Sequence, residues 1–232
     1  MKKALRLIIA FVGMISLLTA LSLTVFDITV TDHRVYDRLQ TRLNLYGAVG
    51  MDEGDVKMVM ADVGAYLKGK ITALDRIVTI DGIARPVFGD RELVHMEDVL
   101  ALFLLLRRVV RCASAMAVIC IFALIVTVRS ACARTLANGL IAALSTLVLF
   151  IAAVAVWAAI DFRSLFTQFH HLLFSNDLWL LDPATDVMIR MMPQEFFVGI
   201  AQISAVRIAA LFPVSIVCSM VLKAINKKVS GM

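Results

Sequence analysis

The sequence lacks the motifs that mark the common routes to acyl-enzyme and nucleotide chemistry. It contains neither a G-x-S-x-G element nor an S-x-x-K element, so a serine-based acyl-enzyme is poorly supported. It contains no glycine-rich loop that could cradle phosphates, which argues against nucleotide chemistry. Its four cysteines show no C-x-x-C spacing and therefore predict neither a disulfide framework nor a metal knuckle.

Acidic residues are missing from three short segments that carry basic residues, and this absence predicts the topology. The basic residues of these flanks are Lys2, Lys3, Arg6, Arg129, Arg134, Lys223, Lys227 and Lys228. By the positive-inside rule the flanks and both termini are cytoplasmic. All 18 Asp and Glu lie in residues 27–98 and 161–195, which are therefore predicted to be outside. The basic residues lack the aromatic interleaving of a nucleic-acid groove, so nucleic acid is not an expected partner.

Long apolar runs predict a membrane protein. The composition is 61% hydrophobic, well above the roughly 45–50% of soluble domains. Charge-free runs at Leu7–Phe26 and Leu136–Ile160 are long enough to cross a bilayer core, which needs about 20 apolar residues. Ala113–Val128 is shorter, and Val198–Leu222 contains Arg207, but both are predicted to cross. The first run could instead be a cleaved signal peptide. A membrane span is favoured, because the run is longer than a signal h-region and no A-x-A cleavage site follows it. The predicted spans are about 7–26, 112–128, 136–160 and 198–222.

The two remaining segments are predicted to form a small cap and an interfacial loop. In the cap, residues 27–98, Asp52–Leu67 has the apolar spacing of an amphipathic helix. Residues 76–80 and 83–88 flank Asp81-Gly82, a pair that favours a tight hairpin turn. The loop, residues 161–197, is rich in aromatic residues and is expected to lie at the membrane interface. We therefore predict one mainly α membrane domain: a four-helix transmembrane bundle with a small mixed α/β extracytoplasmic cap.

The histidines and one intramembrane arginine are the candidate functional residues. His95 is followed three residues later by Asp98, a spacing at which a carboxylate can fix the imidazole tautomer. The spacing also fits an ordinary hydrogen bond on a helix surface. His170 and His171 have two interpretations. Either one imidazole of the pair converges with His95 at the outer leaflet, or the two form an amphipathic pair at the membrane interface. Arg207 either snorkels outward or binds a buried acyl ester or head group.

Two stretches resemble the signatures of a known family. Residues 91–99, R-E-L-V-H-M-E-D-V, resemble the R-E-x-x-H-M-x-D-V motif of the bacterial lipoprotein intramolecular transacylase (Lit) family. The second outer segment resembles that family's other motif, through Phe169-His170, Phe174, Asn176-Asp177, Trp179, Asp182-Pro183, Asp186, Pro193 and Phe196-Phe197. The resemblance covers the whole chain in layout, and His170, directly after Phe169, is the matching histidine.

The resemblance implies an activity and a set of site residues. The family moves the sn-2 acyl chain of a diacylglyceryl-cysteine onto the α-amino group of the same cysteine and produces a lyso-form lipoprotein. The expected partners are diacylated bacterial lipoproteins in the outer leaflet and membrane lipid, with no cofactor and no metal. The expected catalytic residues are His95, His170 and Asp98. In this hypothesis one histidine is the base and the other stabilises the oxyanion or protonates the leaving oxygen, with His95 favoured as the base and the reverse division open. The residues expected to bind substrate are Arg207, Trp179, His171 and Arg91.

Two other functions fit the same residues. The first is a zinc-dependent intramembrane lipid amidase or esterase with His95, His170 and His171 as ligands. The second is a non-enzymatic membrane sensor or accessory subunit whose histidines respond to pH.

Overall fold

The structure is a computed structural model that describes residues 2–128 and 131–230, without the side chains of 228–230. Arg129, one of the predicted cytoplasmic residues, lies outside the described residues. The chain divides into two compact units. The helical unit comprises Met1–Phe26, Leu106–Ala159 and Ala205–Met232, and the cap unit comprises Asp27–Leu105 and Ile160–Ser204.

Helices dominate both units. In chain order the elements are α1 (Lys3–Val30), α2 (His33–Leu43), a 3-10 helix (Tyr46–Val49), α3 (Glu53–Leu67), β1 (Ile77–Ile80), β2 (Ile83–Pro86), α4 (Asp90–Val128), α5 (Cys132–Leu173), α6 (Val187–Met191), α7 (Gln194–Ala209) and α8 (Leu211–Ser230). By length and composition, four helical stretches among the described residues could cross a membrane: α1, α4, α5 and Gln194–Lys227. The predicted fold class, mainly α with four membrane helices and a small sheet, is confirmed.

Small residues let the helices of the helical unit approach one another closely. A Cβ atom added at Gly139 of α5 would lie 2.7 Å from the backbone of Ala10 in α1. A Cβ at Gly13 of α1 would lie 2.7 Å from the Cβ of Cys120 in α4. Contacts between small residues are how membrane helices associate when lipid removes the hydrophobic drive between them. The three helices therefore pack through glycine contacts.

The fourth apolar run is interrupted. The sequence predicted one span over residues 198–222, but α7 ends at Ala209 and α8 begins at Leu211. Pro213 lies in the first turn of α8, where it has no N–H to donate to the carbonyl of Ala209. The interruption therefore follows from a proline in the middle of the run, and Arg207 lies in the last turn of α7.

The cap unit has its own hydrophobic core, and its local elements follow the sequence closely. Asp52 caps α3 by accepting a hydrogen bond from the backbone N–H of Gly54 at 2.7 Å. The predicted hairpin is confirmed: Ile80 pairs with Ile83 across a turn in which Asp81 (φ 52°) and Gly82 (φ 82°) are left-handed. The core is formed by buried apolar side chains from along the unit, including Val35, Leu39, Val56, Val63, Ile80, Met191 and Phe196.

Two long helices carry their ends into the cap unit. At about 1.5 Å per residue, the 39 residues of α4 are far longer than the bilayer core of about 30 Å. The charged first turns of α4 therefore lie beyond its apolar stretch. In α5 the helix is broken at Asp161 (φ −152°, ψ 85°), whose carboxylate accepts a hydrogen bond from the N–H of Ser164 at 2.9 Å. Asp161 thus begins a second helical segment, at the point where the sequence predicted the span to end.

Candidate active site

Two histidines meet inside the cap unit. His95 lies in the second turn of α4, and His170 lies near the end of α5. Their ring centroids are 6.3 Å apart, and the two residues are only 8% and 7% exposed. The structure therefore brings together the two imidazoles that the sequence singled out from separate segments.

Aromatic rings surround His170, and one of them, Phe174, also lies against His95 with centroids 5.3 Å apart. Phe166, Phe169 and Phe174 lie with their centroids 4.1, 5.3 and 5.5 Å from that of His170. Trp179 stacks on His170 at 4.7 Å with an angle of 29° between the planes. We call these four rings with the two imidazoles the histidine enclosure. Its walls offer an apolar surface and few groups that could solvate a charge.

The enclosure keeps both imidazoles neutral. Burial, reinforced by the nearby His170 and opposed by Asp98, lowers the pKa of His95 from 6.5 to about 4. Burial also lowers the pKa of His170, against the effect of its hydrogen bond to the Phe166 carbonyl. At neutral pH each ring therefore has one N–H and one lone pair.

The hydrogen bond of His170 determines which of its nitrogens has the lone pair. Its Nδ1 lies 2.7 Å from the backbone carbonyl oxygen of Phe166. A carbonyl oxygen can only accept, so Nδ1 carries the proton of the neutral ring and Nε2 is the basic atom. The hydrogen-bond partner thus fixes the tautomer and leaves the Nε2 lone pair of His170 able to accept a proton.

His95 has no comparable partner. Its Nδ1 is buried and has no hydrogen bond to any described residue. The sequence predicted that Asp98 would hold this ring, but the carboxylate accepts a hydrogen bond from the side-chain amide of Asn176 at 2.8 Å instead. The aspartate acts on His95 through its charge, which raises the pKa of the ring against the larger effect of burial.

Two hydrogen bonds attach the segment that follows α5 to the first turns of α4. Arg91 donates from Nη2 to the carbonyl oxygen of Asp177 at 2.6 Å, and Asn176 donates to Asp98 as described. These contacts lie about one helical turn on either side of His95. Arg91 and Asp98 therefore attach the segment that carries Trp179 to α4. The substrate binding predicted for Arg91 and the catalysis predicted for Asp98 stay predictions.

Glu92 is a buried residue whose structural role the sequence reasoning missed. It is 2% exposed and accepts hydrogen bonds from the N–H of Gly89 at 2.7 Å and from that of Met188 at 2.6 Å. Burial raises the pKa of its carboxyl group against these two hydrogen bonds. The carboxylate thus joins the start of α4 to the first turn of α6. A glutamate three residues after Gly89 was the available signal.

Two further predicted site residues, His171 and Arg207, are not part of the enclosure. His171 is exposed, and its ring meets the edge of Trp179 with centroids 5.2 Å apart. Arg207 belongs to the helical unit. Among residues 2–128 and 131–230 no group of three or more His, Cys, Asp or Glu side chains is placed to hold a metal ion. The described part of the chain therefore offers no ligand set for the zinc alternative.

Comparison with known proteins identifies the family of this chain. The family model described as "Lipoprotein intramolecular transacylase Lit" matches residues 10–197. The chain belongs to the Lit family. Membership makes it a multi-pass membrane acyltransferase with lipoproteins as its class of partner.

Solved structures of Lit from Bacillus cereus share the fold. One is 22% identical, covers all of both chains and superimposes with a TM-score of 0.73. Two variants of the same protein, with one histidine replaced by arginine or by alanine, are each 23% identical. Their TM-scores are 0.70 and 0.71, and the matches cover 97% and 99% of this chain and 93% and 97% of theirs. A comparison with curated proteins found no match.

Proposed function

We propose that this chain transfers the sn-2 acyl group of a diacylglyceryl-cysteine to the α-amino group of the same cysteine, in the histidine enclosure. The product is an N-acyl, S-monoacylglyceryl (lyso-form) lipoprotein. The observation that carries the proposal is the pair of buried, neutral imidazoles 6.3 Å apart in a member of the Lit family.

The tautomer of His170 favours a division of roles opposite to the one that the sequence favoured. His170 Nε2 takes the proton from the amine as the amine nitrogen attacks the ester carbonyl carbon. His95 donates its N–H toward the leaving glycerol oxygen. The C–N bond forms and the bond from the carbonyl carbon to the glycerol oxygen breaks, with that oxygen taking the proton of His95. The proton that His170 took from the amine then passes to His95, so both rings are neutral again. General acid–base catalysis of this kind contributes about two to four orders of magnitude in rate.

This reaction needs no nucleophile from the protein. Ester and amine are attached to one cysteine, so binding turns their encounter into an intramolecular step with a high effective concentration. The absence of serine nucleophile motifs from the sequence is consistent with direct transfer.

The aromatic walls support transfer over hydrolysis. Phe166, Phe174 and Trp179 surround the rings at 4.1 to 5.5 Å and leave the acyl carbon in apolar surroundings once substrate enters. Excluding water keeps it from competing with the tethered amine.

We further propose that the enclosure faces the outside of the cell and takes diacylated lipoproteins from the outer leaflet. The distribution of charge supports this orientation, since the acidic residues are confined to 27–98 and 161–195. The whole chain then acts as one membrane domain, with the cap unit outside and both termini in the cytoplasm. Arg207 and the exposed His171 remain candidates for substrate binding. Cysteines placed singly at Gly82 and at Lys2 of a cysteine-free variant test this: only the first should react with an impermeant maleimide on intact cells.

Mass spectrometry of a lipoprotein N-terminus tests the reaction. The variants His95→Gln and His170→Gln should each reduce lyso-form production by about two to four orders of magnitude. His33→Gln, which changes a histidine of the same unit outside the enclosure, is the matched control. Unchanged production in both enclosure variants would contradict the proposal. Loss of activity with a chelator, together with zinc in the purified protein, would favour the amidase or esterase alternative.

A further inference from the structure

Trp179 holds a hydrogen-bond donor that no described residue satisfies. Its indole Nε1 is buried and has no hydrogen-bond partner within residues 2–128 and 131–230. An indole N–H can only donate a hydrogen bond, so the missing partner is an acceptor. Leaving a buried donor unpaired is destabilising, and such groups are rare enough in folded proteins to require a reason.

The donor belongs to a ring that is held firmly in place. The indole stacks on His170 at 4.7 Å and lies nearly perpendicular to the ring of His171, with centroids 5.2 Å apart. The segment that carries it is attached to α4 through the Arg91–Asp177 and Asn176–Asp98 hydrogen bonds. A donor fixed in advance stabilises developing charge without having to reorganise during the reaction.

The stacking places the indole ring beside the ring of the proposed base. The two rings are nearly parallel, with 29° between their planes. Since a catalytic hydrogen bond spans about 3 Å, groups on both rings can reach substituents of one tetrahedral carbon. The base would contact the attacking nitrogen, and the donor would contact the carbonyl oxygen.

We propose that the indole N–H of Trp179 is the oxyanion donor of this enzyme: it hydrogen-bonds the carbonyl oxygen of the sn-2 ester and stabilises the negative charge of the tetrahedral intermediate. The inference rests on the proposed function and names the substrate atom that Trp179 contacts. With Trp179 stabilising the oxyanion, His95 donates only to the leaving glycerol oxygen. The base, the oxyanion donor and the leaving-group donor are then three separate side chains.

The sharpest test removes the N–H and keeps the ring. Site-specific replacement of Trp179 by 3-benzothienylalanine exchanges the indole N–H for sulfur and preserves the fused-ring shape. With a diacylglyceryl-cysteinyl peptide in micelles, the single-turnover rate should fall about 10² to 10³ fold, the loss typical of one oxyanion donor. The apparent affinity for the peptide should change much less. Because the stacking on His170 remains, the pH profile of the residual rate should keep its shape.

Trp179→Phe and Trp157→Phe complete the design. Trp179→Phe should be at least as slow as the benzothienyl variant, and Trp157→Phe, which changes the only other tryptophan, should retain the parent rate. A benzothienyl variant with the parent rate would overturn the inference, whether or not Trp179→Phe is slow.

His170→Gln, assayed on the same peptide, separates the two levels of the proposal. If it loses transfer while the benzothienyl variant does not, the role of Trp179 is wrong and the histidine chemistry stands. If His95→Gln and His170→Gln both keep the parent rate, the proposed function itself is wrong.

Discussion

The Nδ1 atom of His170 and the backbone carbonyl oxygen of Phe166 lie 2.7 Å apart, one helical turn from each other on α5. The Nδ1 atom of His95, in the same enclosure, has no partner among the described residues. Two buried imidazoles therefore differ in one respect: the tautomer of the first is fixed by the backbone, and that of the second is fixed by no described residue.

The free energy of unfolding should decrease on acidification, because the buried His95 ring resists protonation in the folded state. The pKa of His95 is lowered by burial to about 4, whereas an unfolded histidine titrates near 6.5. Below pH 6.5 the unfolded state therefore binds more protons, and the stability due to this ring is lost as pH falls from 6.5 toward 4. At about 1.4 kcal/mol per pKa unit, the loss is at most about 3 kcal/mol.

Thermal unfolding in detergent at a series of pH values measures this loss. The decrease between pH 6.5 and 4 should be smaller in His95→Gln than in the parent, and His33→Gln should behave as the parent does. Equal slopes for the parent and His95→Gln would show that the ring is not held neutral.

Substitutions at Asp98 should separate its charge from its hydrogen bond. In Asp98→Asn the amide oxygen can still accept from Asn176, so we expect the single-turnover rate to fall less than about tenfold. Asp98→Ala removes the acceptor and one of the two attachments of the Trp179 segment, and it should be at least tenfold slower than Asp98→Asn. Had Asp98 held the His95 ring as the sequence predicted, the two variants would be similarly impaired. Rates of lyso-form production decide between these outcomes.

Glu92→Ala should destabilise the cap unit without touching the enclosure rings. It leaves the N–H groups of Gly89 and Met188 unpaired, and each hydrogen bond to a charged group contributes about 1.5–3 kcal/mol. We expect a loss of about 3 kcal/mol in the free energy of unfolding. Glu92→Gln, which keeps one acceptor oxygen, should lose less. Chemical denaturation in mild detergent compares them, and a Glu92→Ala protein as stable as the parent would rule out this role.

Gly139→Ala should weaken the contact between α5 and α1. The added Cβ would lie 2.7 Å from the backbone of Ala10, too close to be accommodated without separating the helices. Overpacking of this kind costs about 1–3 kcal/mol. Gly47→Ala, at a position with no heavy atom within 4 Å of the added Cβ, is the matched control. The melting temperature of Gly139→Ala should be clearly lower than that of Gly47→Ala. Equal values would show that the contact between α1 and α5 accommodates the added methyl group.

The local structure could be predicted because it depends on neighbours in the sequence. Asp52 as the cap of α3 and Asp81-Gly82 as the hairpin turn were visible in the residues themselves. The interruption after Ala209 was missed, although Pro213 was a signal for it. The pairing of the two histidines followed from the family motifs and the predicted topology.

The connections within the site could not be predicted in the same way. Asp98 is three residues from His95 on one helix, which suggested a contact between them. Its actual partner, Asn176, is 78 positions away in the sequence. Likewise, nothing in the spacing of Trp179 predicts that it stacks on His170. Both contacts arise when the segment after α5 folds back onto α4, and short-range patterns carry no information about that step.

Two polar atoms of the enclosure, Nδ1 of His95 and Nε1 of Trp179, have no partner in the described part of the chain, and this affects which molecules the site can bind in a bilayer. Hydrocarbon tails are the most abundant molecules around a membrane enzyme, and the apolar walls would accept them. A tail that entered would leave both polar atoms unmet, at about 1–3 kcal/mol each. A chain that brings an ester and an amine would satisfy them. A bare hydrocarbon tail is therefore a poorer ligand for this site than a chain whose polar groups reach both atoms.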